Sequence, residues 1–258
     1  MWAIRCLRAA ILLFLIAPLI VAIGSSLTPS SVPEFPPSAI SFHWYRHVLE
    51  QEIFVQAAWH SLQLAALSTL INLPVALCAA LALLRGRVPG HAMIQTVLMS
   101  PLIVPAVVTG IAVLLAFAQA GWRDPFSRLL LAHLVITLPY LVRTIIASLS
   151  RLDIHCEEAA ATLGASPLKV FLLVTMPQLM PGIIAGALFA FIISFDNVSV
   201  SLFLASARFN TLPIAVLAYV EHNLDPSIAA LSTLLILITV ALTLLIERVA
   251  GLRRTLGA

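Results

Sequence analysis

Lysine occurs once in this 258-residue chain, at Lys169, and Leu168 precedes it, so no phosphate-cradling GxxxxGK[ST] loop can exist here. If ATP drives this protein, another subunit binds it. Charge is scarce too: 10% of residues are charged against 61% hydrophobic, and the mean hydropathy is +1.08. That composition leaves no room for a sizeable soluble domain and marks an integral membrane protein. The three cysteines, Cys6, Cys78 and Cys156, are far apart and form no CxxC pair, which argues against a disulfide framework or a zinc site. An HExxH helix, a GxGxxG turn and a Ser/His/Asp pattern are all missing, so a membrane enzyme has little to rest on and no catalytic residue is assigned. The net charge of +3 is too small and dispersed for a nucleic-acid footprint.

What the sequence has instead is apolar runs of membrane length. They predict an all-α protein of six transmembrane helices, at about 9–27, 58–84, 93–119, 129–149, 181–205 and 227–247, in a single domain over 1–258. The first run exceeds the roughly 7–15 apolar residues of a signal peptide and reads as a retained span. Between the first two spans, Pro29, Pro33, Pro36 and Pro37 precede Phe42, Trp44 and Tyr45, the pattern of an outer loop ending in an interfacial helix. His43 and His47 share a helix face there, but with only Glu50 close by they are too few to predict a metal site. Pro101 and Pro105 predict a bend in the third span, and Pro139 one in the fourth, near whose inner end Arg143 would snorkel or pair with a carboxylate.

The fifth run carries Gly182, Gly186, Ala190 and Ser194 at every fourth position, a small-residue ridge suited to close helix packing. It continues into Ser194, Asp196, Asn197, Ser199 and Ser201. Read as one helix, this places Asn197 near the ridge and Asp196 a quarter turn away, past the bilayer midplane. An ionisable group at that depth is a functional candidate, so Asp196 faces either the substrate pathway or a partner such as an arginine. Asn197, Ser194 and Ser201 join it as pathway candidates.

Orientation follows from the cations. With both ends cytoplasmic, the inner side holds Arg5, Arg8, Arg85, Arg87, Arg151, Lys169, Arg248, Arg253 and Arg254, against Arg46, Arg123, Arg128 and Arg208 outside.

The same orientation puts a polar interruption, 153–177, in the cytoplasm. Asp153 can cap a short helix there, with Glu157 and Glu158 near its positive end, and Gly164 can stop it in the left-handed conformation. Ser166 and Pro167 then restart a second helix as cap and first residue. The predicted product is an elbow of two helices at the membrane surface.

Glu158-Ala159-Ala160, three residues, Gly164, nine residues and Val174-x-Met176-Pro177 resemble the EAA loop of permease subunits of binding-protein-dependent ABC importers. Val174 and Met176 are conservative departures at its two aliphatic positions. PLIVPAVVTG, LPYLVRT, ISFDNVSVSLF and the stretch from Asp225 to Ala229 are similar to the spermidine/putrescine permease C branch. Permeases for thiamine, ferric iron and aminoethylphosphonate share parts of these motifs.

The resemblance implies a type I importer permease (MetI-like) fold and a multi-pass protein of the bacterial inner membrane. It implies a second permease subunit, two ATP-binding subunits that use ATP and magnesium, and a periplasmic substrate-binding protein, with no cofactor on this chain. The elbow would be the coupling helix, with Glu157, Glu158, Ala159, Ala160, Gly164, Ser166, Pro167 and Pro177 serving contact with the ATPase. A secondary transporter is the rival class, but such transporters commonly show two related halves and no internal repeat is visible.

Overall fold

The computed structural model describes residues 2–86, 88–206 and 208–250, so Arg87, Arg253 and Arg254 of the orientation count lie outside it. In chain order the helices are α1 (Trp2–Ser26), α2 (His43–Glu50), α3 (Glu52–Arg85), α4 (His91–Met99), α5 (Ala106–Gln119) and α6 (Pro125–Leu149). Then come α7 (Ile154–Thr162), α8 (Pro167–Val170), α9 (Met176–Phe195), α10 (Ser201–Leu204), α11 (Leu212–Val220) and α12 (Ser227–Ala250). Among the described residues the only extended pairing is an isolated bridge between Ser206 and Phe209.

Four helical stretches are each long and apolar enough to cross a membrane: Arg5–Ser26, Glu52–Arg85, Pro125–Leu149 and Pro167–Phe195. The pair His91–Leu102 and Ala106–Gln119, bent by 104°, passes the same test together and forms either a fifth, broken span or a re-entrant loop. The bend expected from Pro101 and Pro105 is thus a full break. Ser100–Leu102 tightens to a 3-10 turn, and Pro105, which has no N–H to donate, stands extended at the start of α5. The sixth expected span falls on α12, whose apolar stretch Ser227–Ala241 is shorter than the others; the side chains of 245–250, Arg248 included, are outside the description.

The chain divides into two compact units, one of Met1–Ala57 and Ala215–Leu244, the other centred on Ala58–Ile214. In the first unit the proline-rich loop folds over α2: Trp44 is buried and its indole N–H donates to Ser30 O at 3.1 Å. Asp225 seats the start of α12, accepting from Tyr219 Oη at 2.6 Å and from the Ser227 N–H at 2.9 Å. Leu13, Phe14 and Leu15 of α1 are exposed, as a lipid-facing helix requires.

The second unit holds two apolar clusters. Leu64, Leu129, Ala132, Ile136, Val200 and Leu204 join α3, α6 and α10, and Ala76, Ala80, Leu141, Val142, Ile145 and Ala190 join α3, α6 and α9. The α6–α9 contact is close because of two glycines. A Cβ on Gly186 would meet the Thr144 hydroxyl, and one on Gly182 would meet the Ser148 side chain. Backbones that approach this closely gain the dispersion contacts that stand in for the hydrophobic effect between helices in lipid.

The fifth helix departs from its expected 181–205 boundaries at both ends. It is helical from Pro167, passes through a π-turn at Phe171–Thr175, and stops at Phe195. The π-turn is the accommodation of Pro177, whose ring would clash with the carbonyl four residues back, at Leu173. At the other end Asp196 is the C-cap, and the Asn197 Oδ1 accepts the Val200 N–H at 2.9 Å. Asn197 therefore lies in a turn of its own making, not on the ridge-bearing helix, because asparagine competes with helical bonding through such local bonds.

Candidate functional site

The elbow is built by local chemistry. Asp153 caps α7 by accepting the His155 N–H at 3.0 Å. At the other end, the Ala165 N–H reaches Ala160 O at 3.1 Å and the Gly164 N–H reaches Ala161 O at 2.9 Å, closing the helix in a Schellman pattern. Gly164 takes φ +84°, the left-handed backbone that costs a side-chain-bearing residue strain. Ser166 has the extended backbone of an N-cap but makes no side-chain bond to the helix, so Pro167 alone sets the direction of α8.

Two adjacent carboxylates are then divided by the fold. The Glu157 carboxylate turns inward: its Oε1 accepts from Arg85 Nη1 at 2.9 Å and from the Thr175 hydroxyl, and its side chain is 16% exposed. Glu158 turns outward at 65% exposure and, among the described residues, its carboxylate meets only His155 Nδ1, at 3.1 Å. The hydrogen bond to Glu158, helped by the charges of Asp153 and Glu158, holds His155 above the ordinary histidine value of 6.5. Leu163 is 89% exposed at the tip, and Leu168, Pro177 and Ala159 are exposed too, whereas Ala160 is half-buried. A cleft of about 440 Å³ between the two arms is floored by Arg85, Glu157 and Thr175. An exposed apolar tip beside an outward-facing carboxylate is a surface suited to a protein partner.

Inside the second unit the four pathway candidates separate into pairs. Ser194 and Ser201 are buried and are joined by His133, whose Nδ1 lies 2.7 Å from Ser194 Oγ and whose Nε2 lies 3.1 Å from Ser201 Oγ. Ser68 donates to Ser194 Oγ at 3.1 Å, and Asn72 donates to Thr137 Oγ1 at 2.9 Å and Leu134 O at 2.8 Å. The result is a buried polar seam through α3, α6, α9 and α10. Asp196 is exposed and Asn197 half-buried, both outside that seam, and among the described residues Asp196 makes no ion pair. Sequence reasoning missed His133; the signal available was an ionisable ring within an apolar span.

Arg143 is exposed beside a cleft of about 470 Å³ lined by Gln95, Met99, Leu102, Ile103 and Ile146, with no carboxylate paired to it among the described residues. In the first unit Glu50 is held by Arg46 Nε at 2.7 Å, and Gln51 Nε2 lies 2.7 Å from His47 Nε2.

Residues 72–253 match the family described as "Binding-protein-dependent transport system inner membrane component". The chain is 34% identical over 230 residues to the putrescine transport system permease protein PotI of Escherichia coli, covering 86% of this chain and 82% of that one. It is 32% identical over 205 residues to the spermidine/putrescine transport system permease protein PotC of Haemophilus influenzae, covering 80% of each. A crystal structure of a bacterial alginate ABC transporter, in complex with its pentasaccharide-bound periplasmic protein, superposes with a TM-score of 0.71 at 15% identity, covering 96% of this chain and 92% of the other. That likeness concerns the fold. With a matched region that spans most of the chain and relatives above 30% identity over most of both lengths, this protein belongs to the family of binding-protein-dependent transport system inner membrane components, as a multi-pass inner-membrane transport subunit and not an enzyme.

Proposed function

We propose that this chain is the permease subunit of an ATP-driven importer for polyamines, working with a second permease subunit, two ATP-binding subunits and a periplasmic substrate-binding protein. Both termini lie in the cytoplasm, and ATP with its magnesium ion is held by the ATPase. The single observation that carries the reading is the elbow, with Leu163 exposed at its tip and Glu158 turned outward, where an arginine of the ATPase could take the place of its exposed partner His155. The polyamine cargo is supported by the names of the two permeases above, each about a third identical to this chain.

In this reading the loaded binding protein docks outside, ATP closes the ATPase dimer, and the elbow moves with it. The second arm of the elbow is continuous with α9, so its displacement tilts that helix. The glycine contacts with α6 and the His133 seam then carry the tilt inward, which switches the pathway between inward-open and outward-open. Asp196, exposed at the outer end of α9, attracts the polycation as it enters.

The experiment is ATPase activity in lipid nanodiscs of the complex purified from its native membrane, with its binding protein and a panel of substrates. Stimulation by spermidine or putrescine is expected. Stimulation by another cargo replaces the substrate and keeps the class, and a complex lacking any ATPase sinks the coupling role of the elbow.

A further inference from the structure

The fold gives Glu157 two partners that belong to different moving parts. Arg85 is the last residue of α3, and Thr175 is the last residue of the π-turn that leads into α9. Both donate to one carboxylate oxygen on the first turn of α7. Thr175 is buried, and the Arg85 side chain is 34% exposed, so this is a partly shielded junction and not a solvated surface pair.

We propose that Arg85 is a positioning residue of the energy-coupling step: through Glu157 it yokes the cytoplasmic end of α3 to the elbow, so that a displacement of the elbow drives α3 together with α9. This rests on the elbow being the contact with the ATPase. Chain continuity alone transmits motion from the elbow only to its two flanking helices, α6 and α9. The ion pair supplies a second route, into the helix that carries Ser68 and Asn72 of the buried seam. Two helices entering that seam are thereby moved from one point. Glu157, unlike its neighbour Glu158, serves the permease itself and leaves Glu158 for the partner.

The test is the coupling ratio, substrate imported per ATP hydrolysed, in proteoliposomes of the full complex with its binding protein and radiolabelled spermidine or putrescine. Arg85→Glu is expected to lower the ratio about fivefold, and the exchange R85E/E157R to restore it to within about twofold, the scale of a partly shielded ion pair. A merely structural role would change the yield of complex without changing the ratio. If Arg85→Glu fails to assemble and the exchanged pair assembles, the ratio is measured in Arg85→Gln: a lowered ratio upholds the yoke, and an unaltered one leaves a structural pair only and overturns it. If neither assembles, Arg85→Gln and Thr175→Val are measured instead, and an unaltered ratio in both overturns the proposal. A wild-type ratio in Arg85→Glu, or an exchange that restores nothing, also overturns it. Failure of the wild-type complex to contain an ATPase or to respond to polyamine counts against the underlying functional reading and is seen before any variant is made.

Discussion

His133 Nδ1 lies 2.7 Å from Ser194 Oγ, which ties the middle of α6 to the last turn of α9 in a part of the protein where no water is needed to satisfy either group. With Ser201 on its other nitrogen, the ring is bonded at both ends. A neutral imidazole has one donor and one acceptor, so it fits between two hydroxyls that can each play either role. The seam therefore reads as a satisfied polar network that fixes the rotation of α9 and α10 against α6.

Replacing His133 by leucine leaves the hydroxyls of Ser194 and Ser201 without that partner. The expected cost is about 1–3 kcal/mol of stability, seen as a lower midpoint when the purified subunit is thermally unfolded in detergent. Glutamine, which can offer one donor and one acceptor, is expected to recover part of the loss. An unchanged midpoint in His133→Leu removes the stabilising role.

Gly164→Val forces a β-branched residue into φ +84°, at roughly 1–2 kcal/mol of strain. Among the described residues no atom lies within 4 Å of a Cβ built there, so within this chain the effect is one of backbone conformation. Lost assembly, or ATP hydrolysis without uptake, is expected; wild-type uptake by the variant would falsify the role of the bend.

Gly186→Leu must push α9 away from Thr144 and Leu141. Overpacking of this kind costs about 1–3 kcal/mol, and the spacing of α6 and α9 should widen in a cysteine cross-linking series. Unaltered cross-linking would mean that the helices do not depend on this approach.

His155 is held above 6.5, so its ion pair with Glu158 is complete at acidic pH and is lost as pH rises through that raised value. NMR titration of the labelled ring should give a midpoint above 6.5, and Glu158→Gln should bring it down. Loss of the pair at higher pH frees Glu158 for another cation. An unshifted midpoint in the wild type ends this account.

Asp196→Asn removes the exposed carboxylate at the end of α9. Spermidine uptake is expected to fall, and to fall further at low salt, where attraction of a polycation is least screened. Normal uptake at both ionic strengths assigns Asp196 to its helix-ending role alone.

Features that depend on neighbours along the chain are legible without the fold. Hydropathy marked the apolar helices, Asp153, Gly164 and Pro167 marked the start, bend and restart of the elbow, and Pro101 and Pro105 marked the broken helix. These succeed because caps, left-handed turns and missing N–H groups act within one or two turns of backbone. The end of α9 was legible in Asp196 and Asn197 but was masked by the apolar residues after them. Packing between distant helices alone settles that Glu157 is anchored inward and Glu158 turned outward. Arg85 lies 72 positions from Glu157, and Ser194 and Ser201 lie 61 and 68 positions from His133. Those partnerships depend on the rotation and crossing of packed helices, which are set by interdigitating side chains such as Thr144 against Gly186 and not by any local signal.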